Sequence, residues 1–228
     1  MTPPLSQPAV PPVTRILLVA DHALLCRGLV SLIETEPDLA VCAQAASRQA
    51  ALTAIASAKP DLVITDLSLD GGDGLDLVKD IKRQFPGLPV LVLSMHPDAL
   101  FAERALRAGA RGYVTKQDID AIVITAIRCV LAGQVHTSEA LGRPLAQKYM
   151  AGGTLAERSG IESLSDRELA VFRLISEGRP TRAIAQALDL SVKTIESHRE
   201  NLKSKLGLRS GADLNCRAVR WQETGRLE

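Results

Sequence analysis

The four cysteines, Cys26, Cys42, Cys129 and Cys216, form no C-x-x-C unit and show no metal-ligand spacing. The spacing gives no sign of a disulfide framework or a cysteine-ligated metal centre, and reduced, buried thiols of a cytoplasmic protein are expected. No apolar run approaches the roughly 18 residues of a membrane span, so no membrane association is expected. Met1 to Thr14 lacks the basic-then-apolar order of an export signal and carries five prolines. It reads as a disordered leader, residues 1–14. The chain has no internal repeat, and past residue 160 it has no strand signal, which confines any sheet to the first part.

What is present divides unevenly. The 228 residues suffice for two small domains. The formal net charge of +1 hides an asymmetry: residues 15–133 hold 12 Lys and Arg against 14 Asp and Glu, whereas 193–220 hold 7 against 3. Positive charge is concentrated near the C-terminus.

From Arg15 to Ala132, five short β-branched runs (15–20, 39–44, 61–66, 89–94, 112–115) alternate with segments of helical period (22–35, 47–59, 74–85, 98–108, 119–132). Strands apolar on both faces imply a parallel sheet covered by helices on each side, a doubly wound α/β fold of five strands. Residues 134–160 lose the rhythm and read as a linker with one helix around 138–150. Residues 161–228 read as a small all-α domain. Ser165 and Glu168 form a capping box, Leu169, Phe172 and Ile175 supply a core face, and Gly178 stops the helix. Thr181–Leu188, the short connection Asp189-Leu190-Ser191 and Val192–Leu206 make a helix-turn-helix. A fourth helix runs from about Gly211 to Gln222.

In an open α/β sheet, chemistry collects at the C-terminal ends of the strands. Four polar residues fall there: Asp21, Asp66, Ser94 and Lys116. Two acids, a hydroxyl and a lysine suggest a phosphorylatable aspartate. Carboxylate nucleophiles form acyl phosphates, and a divalent cation offsets repulsion between attacker and phosphoryl group. On the third helix of the C-terminal domain, Val192, Ile195, Leu202 and Leu206 fall within about 80° and form the expected buried stripe. Lys193, Ser197, Glu200, Asn201 and Ser204 lie opposite, a polar face suited to the major groove.

On Asp21, Asp66, Leu93-Ser94-Met95-His96 and Gly112-Tyr113-Val114-Thr115-Lys116, residues 15–133 resemble the receiver domain of two-component response regulators. On Leu164-Ser165-Asp166-Arg167-Glu168, Ile184-Ala185, Leu188-Asp189-Leu190-Ser191, Lys193-Thr194-Ile195-Glu196-Ser197-His198 and Lys205-Leu206-Gly207, residues 161–221 resemble the LuxR-type helix-turn-helix of the NarL/FixJ group. The resemblance implies phosphorylation at Asp66 by a cognate histidine kinase, with Mg²⁺ held at Asp21, Asp66 and Ser68. It implies a switch through Ser94, Lys116 and Tyr113, tuning of phosphate loss by Ser68 and His96, and no turnover of an external substrate. It further implies DNA contacts from Lys193, Thr194, Glu196, Ser197, Glu200 and Lys205, a homodimer on DNA, and RNA polymerase as a further candidate partner.

Departures from the family pattern matter. Ala20 stands where a second acid usually precedes Asp21, and Leu69-Asp70 replaces a Met-Pro. A carboxylate missing at about 4 Å is worth a few kcal/mol at an effective permittivity of 20, although water replaces much of it around Mg²⁺. Weakened metal affinity and slower phosphorylation are expected; Asp70 reads as a solvated turn residue in preference to a source of compensating charge. A rival reading follows, in which an atypical receiver controls DNA binding without phosphorylation. A phosphatase of the aspartate-nucleophile type is disfavoured, because Ser68 occupies the position where its second acid belongs. Pro180 and Ala183 replace a usual cap and a usual Glu on the second helix of the C-terminal domain; proline is acceptable at a helix start.

Overall fold

The computed structural model describes residues 13–69, 72–95, 99–138, 141–143 and 160–224. In order these form β1 (Thr14–Val19), α1 (Ala23–Ile33), β2 (Leu39–Ala45), α2 (Arg48–Ala58), β3 (Leu62–Asp66), β4 (Ser68–Leu69), β5 (Gly72–Asp73), α3 (Gly74–Gln84), β6 (Val90–Ser94), α4 (Ala99–Ala108), β7 (Gly112–Thr115) and α5 (Ile119–Leu131). A 3₁₀ turn at Gly160–Ser163 then leads into α6 (Asp166–Ser176), α7 (Thr181–Ala187), α8 (Val192–Leu206) and α9 (Gly211–Thr224). Residues 1–12 of the expected leader, most of the expected linker helix, Asp70, His96 and residues 225–228 lie outside the described residues.

The main sheet is parallel, in the order β2-β1-β3-β6-β7. Its strands are buried on both faces, as the continuous apolar runs require. Leu17, Val19, Val63, Val90, Val92 and Tyr113 face one layer, with Ala51, Ile55, Leu77, Val78, Ile81 and Phe101. Ile16, Leu18, Leu62, Ile64, Leu91, Leu93 and Val114 face the other, with residues of α1 and α5. The order reverses between β1 and β3, and that switch point opens the crevice where such sheets bind ligands.

The stretch after Asp66 contains an antiparallel pair in which Ser68 faces Asp73 and Leu69 faces Gly72. The segment expected to leave the first domain at residue 133 stays on the sheet: Tyr113 N donates to His136 O at 2.9 Å, and His136 N to Arg111 O at the same distance. It thereby satisfies part of the exposed edge of β7.

The C-terminal domain follows its sequence signals closely. Ser165 and Glu168 complete the capping box of α6, and Gly178 adopts φ +75° just beyond that helix. Pro180 caps α7 without a side-chain bond, and Asp189, at φ +51°, turns the chain toward α8. Ser191 caps α8 through Thr194 N at 3.0 Å. Ile195 and Leu202 are fully buried and Leu206 partly so, whereas Val192 is 40 % exposed. Val192 is the first residue of the helix, ahead of Ile195 where the packed stripe begins, so against expectation its side chain lies outside the core.

The two domains share one apolar core. Leu164, Leu169, Phe172, Leu174 and Trp221 continue the cluster that begins on the α2–α4 side of the sheet. Trp221 packs against Phe172 of its own domain at 5.4 Å between ring centroids and against Phe101 of α4 at 5.8 Å. Helix α6 is buried from Glu168 through Ser176, because one side meets α8 and α9 and the other meets the first domain.

Candidate phosphoacceptor site and helix-turn-helix

Asp66 ends β3, and its carboxylate is almost fully buried. Its Oδ1 accepts from Ser68 N at 3.1 Å, and its Oδ2 pairs with the Lys116 ammonium. Lys116 is delivered by the turn after β7, whose first amide donates to Ser94 O at 2.7 Å. Ser94, 1 % exposed, ends β6, and Tyr113 lies fully buried in β7 beneath it. Asp21 follows β1 on the other side of the switch point. The strand ends therefore gather Asp21, Asp66, Ser94 and Lys116, as their spacing anticipates.

Asp21, His22 and Asp66 offer ligand atoms all within 4.8 Å of one another. Two carboxylates beside a partly open mouth fit a divalent cation that keeps several of its waters. His22 Nδ1 lies 2.7 Å from Asp21 Oδ1, a neighbour that sequence reasoning did not single out. Ala20, 8 % exposed, occupies the end of β1 without a carboxylate. Burial, reinforced by the negative charges of Asp21 and Asp66, pushes the Cys26 thiol upward, so it stays protonated beside the site. All four cysteines are free thiols.

Gly74 was also missed, although it sits in an evident glycine-rich turn. Its amide donates to Leu67 O at 2.9 Å, and a Cβ there would stand 2.3 Å from Asp66 O and 2.8 Å from Leu67 Cα. Only glycine lets α3 start this close to the acidic loop. Asp73 caps that helix through Leu75 N at 3.1 Å. Burial raises its carboxyl to about 6, against the pull of the Arg173 charge and the bond from Leu75.

A chamber of about 260 Å³ opens beside Asp66. Its near wall is Asp21, His22, Ser68, Leu69, Met95 and Lys116, and its far wall belongs to the C-terminal domain, including Arg173, Glu177, Arg179 and Leu188. Arg173, 3 % exposed, donates to Ser68 Oγ and, at 3.1 Å, to Glu177 Oε1. A second polar contact lies further along: Arg104 donates to Asp166 Oδ1 at 2.7 Å and to Leu164 O at 2.6 Å, and Lys79 donates to Asp166 Oδ2 at 2.6 Å. Burial alone would raise the Asp166 carboxyl, but Lys79 and Arg104 hold it below the usual range.

On α8, Lys193, Glu196, Ser197 and Glu200 are exposed and share the polar side. Thr194 turns its hydroxyl to Ser191 Oγ at 2.8 Å, and Lys205 donates to Glu168 Oε2 at 2.7 Å. That ammonium is thus engaged within the domain, where with Ser165 it outweighs burial and keeps the Glu168 carboxyl low. Arg199 instead ties α8 to α9 through Asn215 Oδ1 at 3.0 Å.

A five-stranded parallel α/β domain with an aspartate–lysine pair at its switch point, followed by a four-helix domain containing a helix-turn-helix, defines a receiver joined to a DNA-reading module. Residues 16–127 match the response regulator receiver domain, and residues 162–218 match the bacterial regulatory proteins of the luxR family. The transcriptional activator protein ExaE of Pseudomonas putida is 36 % identical over 200 residues, covering 87 % of this chain and 92 % of that protein. The oxygen regulatory protein NreC of Staphylococcus aureus is 32 % identical over 204 residues, covering 88 % and 94 %. RcsB of Salmonella enterica serovar Typhimurium, solved on promoter P1flhDC with phosphomimetic BeF3-, superposes with a TM-score of 0.65 at 29 % identity, covering 88 % of this chain and 96 % of that one. The chain belongs to the NarL-type two-component response regulators, DNA-binding transcription regulators with a LuxR-type helix-turn-helix. Among the described residues, no helix is long and apolar enough to cross a membrane.

Proposed function

We propose that this regulator is switched by phosphorylation of Asp66 and controls transcription in the cytoplasm as a homodimer on DNA. The observation that carries the reading is the buried Asp66–Lys116 pair at the switch point, with Asp21 across the crevice. One Asp66 oxygen forms a bond to phosphorus as the bond from phosphorus to the donor's leaving group breaks. In transfer from a phosphohistidine, imidazole leaves with the electron pair. Lys116 exchanges its carboxylate partner for a phosphoryl oxygen, acting as a point charge, and Ser94 donates to another. Asp21, Asp66 and Ser68 would hold Mg²⁺, which would supply charge neutralisation at the phosphoryl oxygens.

A cognate histidine kinase supplies the phosphoryl group in this reading, and Tyr113 changes rotamer as Ser94 is drawn in. Phosphorylation biases an existing equilibrium between domain arrangements toward the pair that grips two half-sites. Glu196, Ser197 and Glu200 face the bases, while Lys193 and Thr194 meet the backbone. Lys205 joins them once it leaves Glu168. RNA polymerase is the next contact at a promoter.

The test is intact mass and oligomer size before and after acetyl phosphate with saturating Mg²⁺. One added phosphoryl group and a shift from monomer to dimer are expected; no mass change under saturation sinks the reading. Ala20 favours one alternative, an atypical receiver whose DNA affinity ignores phosphodonors. A gel shift with and without acetyl phosphate separates the two, since the alternative requires equal affinity.

A further inference from the structure

We propose that the DNA-binding domain is a lid on the phosphoacceptor pocket, pinned by Arg173 on Ser68, and that it selects phosphodonors by size. The inference rests on Asp66 being the phosphoacceptor and adds which donors reach it.

Three observations carry it. Asp66 is 1 % exposed, closed over by Ser68 and Lys116, and these two with Asp21 form the receiver wall of the chamber. What faces that wall across the chamber is the other domain: Arg173, Leu174 and Glu177 from α6 and the turn after it, then Arg179 and Leu188. Ser68, whose amide holds Asp66 Oδ1, is the residue that Arg173 grips. The pin is therefore two residues from the nucleophile.

Sterics then divide the donors. A volume of about 260 Å³ exceeds that of a small acyl phosphate or N-phosphoimidazole, given that one water occupies about 30 Å³ of liquid. A histidine carried on a folded helical domain has to bring that domain to the crevice, where α6 and the end of α7 already stand. Phosphotransfer from such a donor requires the lid to lift first, and its observed rate scales with the fraction of open chain. Arg173 is also an expensive group to move. Its guanidinium is nearly fully buried, with Ser68 and Glu177 as acceptors, so release must supply it with solvent or a new anion. It acts through the placement of the lid and is a specificity-determining residue, not a catalytic one.

The chain carries a reporter of lid position. Trp221 is its single tryptophan, 4 % exposed and packed between Phe101 of the receiver and Phe172. Lifting the lid exposes one side of the indole and moves its emission to the red.

The experiment compares the full chain with Arg173→Ala and Arg104→Ala, which cut the lid's two polar contacts with the receiver and leave the phosphoacceptor residues themselves unchanged. Each is phosphorylated by N-phosphoimidazole and, separately, by a histidine-phosphotransfer domain charged with phosphoramidate; Trp221 emission is read throughout. Both variants are expected to show red-shifted emission before any donor is added. The ratio of protein-donor rate to phosphoimidazole rate rises at least tenfold, while the phosphoimidazole rate stays within threefold. An unshifted tryptophan in both variants overturns the pin. A red shift with an unchanged rate ratio overturns donor selection. Failure of every form to take phosphate from phosphoimidazole overturns instead the assignment of Asp66 on which the proposal stands.

Discussion

Arg104 of α4 and Asp166, the first residue of α6, are joined across the domain boundary by an ion pair of 2.7 Å, and the same guanidinium donates to Leu164 O at 2.6 Å. Arg104 is 7 % exposed, so its charge is spent almost wholly on the neighbouring domain. Replacing it by alanine strands a backbone carbonyl and leaves Asp166 to Lys79 alone. Arg104→Ala should cost the closed arrangement about 2 kcal/mol, the scale of lost charge-assisted hydrogen bonds. Small-angle scattering should report a larger radius of gyration, and Trp221 should emit further to the red. An unchanged radius would show that the apolar contact around Phe101 suffices.

Asp66→Asn should abolish phosphoryl uptake from acetyl phosphate, read as no added mass. It also removes the charge that Lys116 faces, leaving a side chain only 10 % exposed without its anion. A loss of thermal stability is expected alongside the chemical defect, and Asp66→Asn combined with Lys116→Met should recover part of it.

Gly74→Ala tests the floor of the site. The added methyl group meets backbone, Asp66 O and Leu67 Cα, which cannot yield as a side-chain tip does. A penalty of about 2 kcal/mol or more is expected, with phosphorylation slowed at least tenfold because the Asp66–Leu67 main chain shifts. A variant that keeps the parent's melting temperature and rate would contradict the close approach.

Asp73 sets a pH dependence with a definite sign. Its carboxyl titrates near 6 when folded and near 3.9 when unfolded. Below pH 4 both states are protonated and the preference for the neutral folded form is fully present. Between 4 and 6 the unfolded chain loses the proton while the native one keeps it, so stability falls as pH rises. Above 6 the penalty is complete, about 3 kcal/mol by linkage. Asp73→Asn keeps an oxygen for Leu75 N and removes the titration. Chemical denaturation should find it more stable than the parent at pH 7.5 and no more stable at pH 4.

Lys193→Ala should weaken binding to every DNA sequence alike and lower the slope of log affinity against log salt by about 1. An unchanged slope would place Lys193 off the phosphate backbone.

Much of the fold is legible in the sequence. Five apolar runs defined the sheet because parallel strands bury both faces and leave an unmistakable pattern. Their polar terminal residues announced the site, since Asp21, Asp66, Ser94 and Lys116 reach one point only when those strands align. Ser165, Gly178 and Ser191 marked helix ends through local chemistry. What stayed hidden depends on contacts between distant segments. Arg173 sits on a helix buried all round, where amphipathic period carries no information about which side meets another domain. His136 adds to a sheet edge that its own neighbourhood does not advertise. Trp221 looked like a residue of the helical domain alone, and its contact with Phe101 arises only from docking.

Helix α8 keeps Lys193, Glu196, Ser197 and Glu200 facing outward while the lid is shut. Under the proposed dimeric reading, control of binding would therefore not come from hiding the reader. A single closed protomer would still present that surface and would lack only a second reader at the correct spacing. Crowding the protein should thus mimic the signal in part, with operators filling at high concentration in the absence of any phosphodonor.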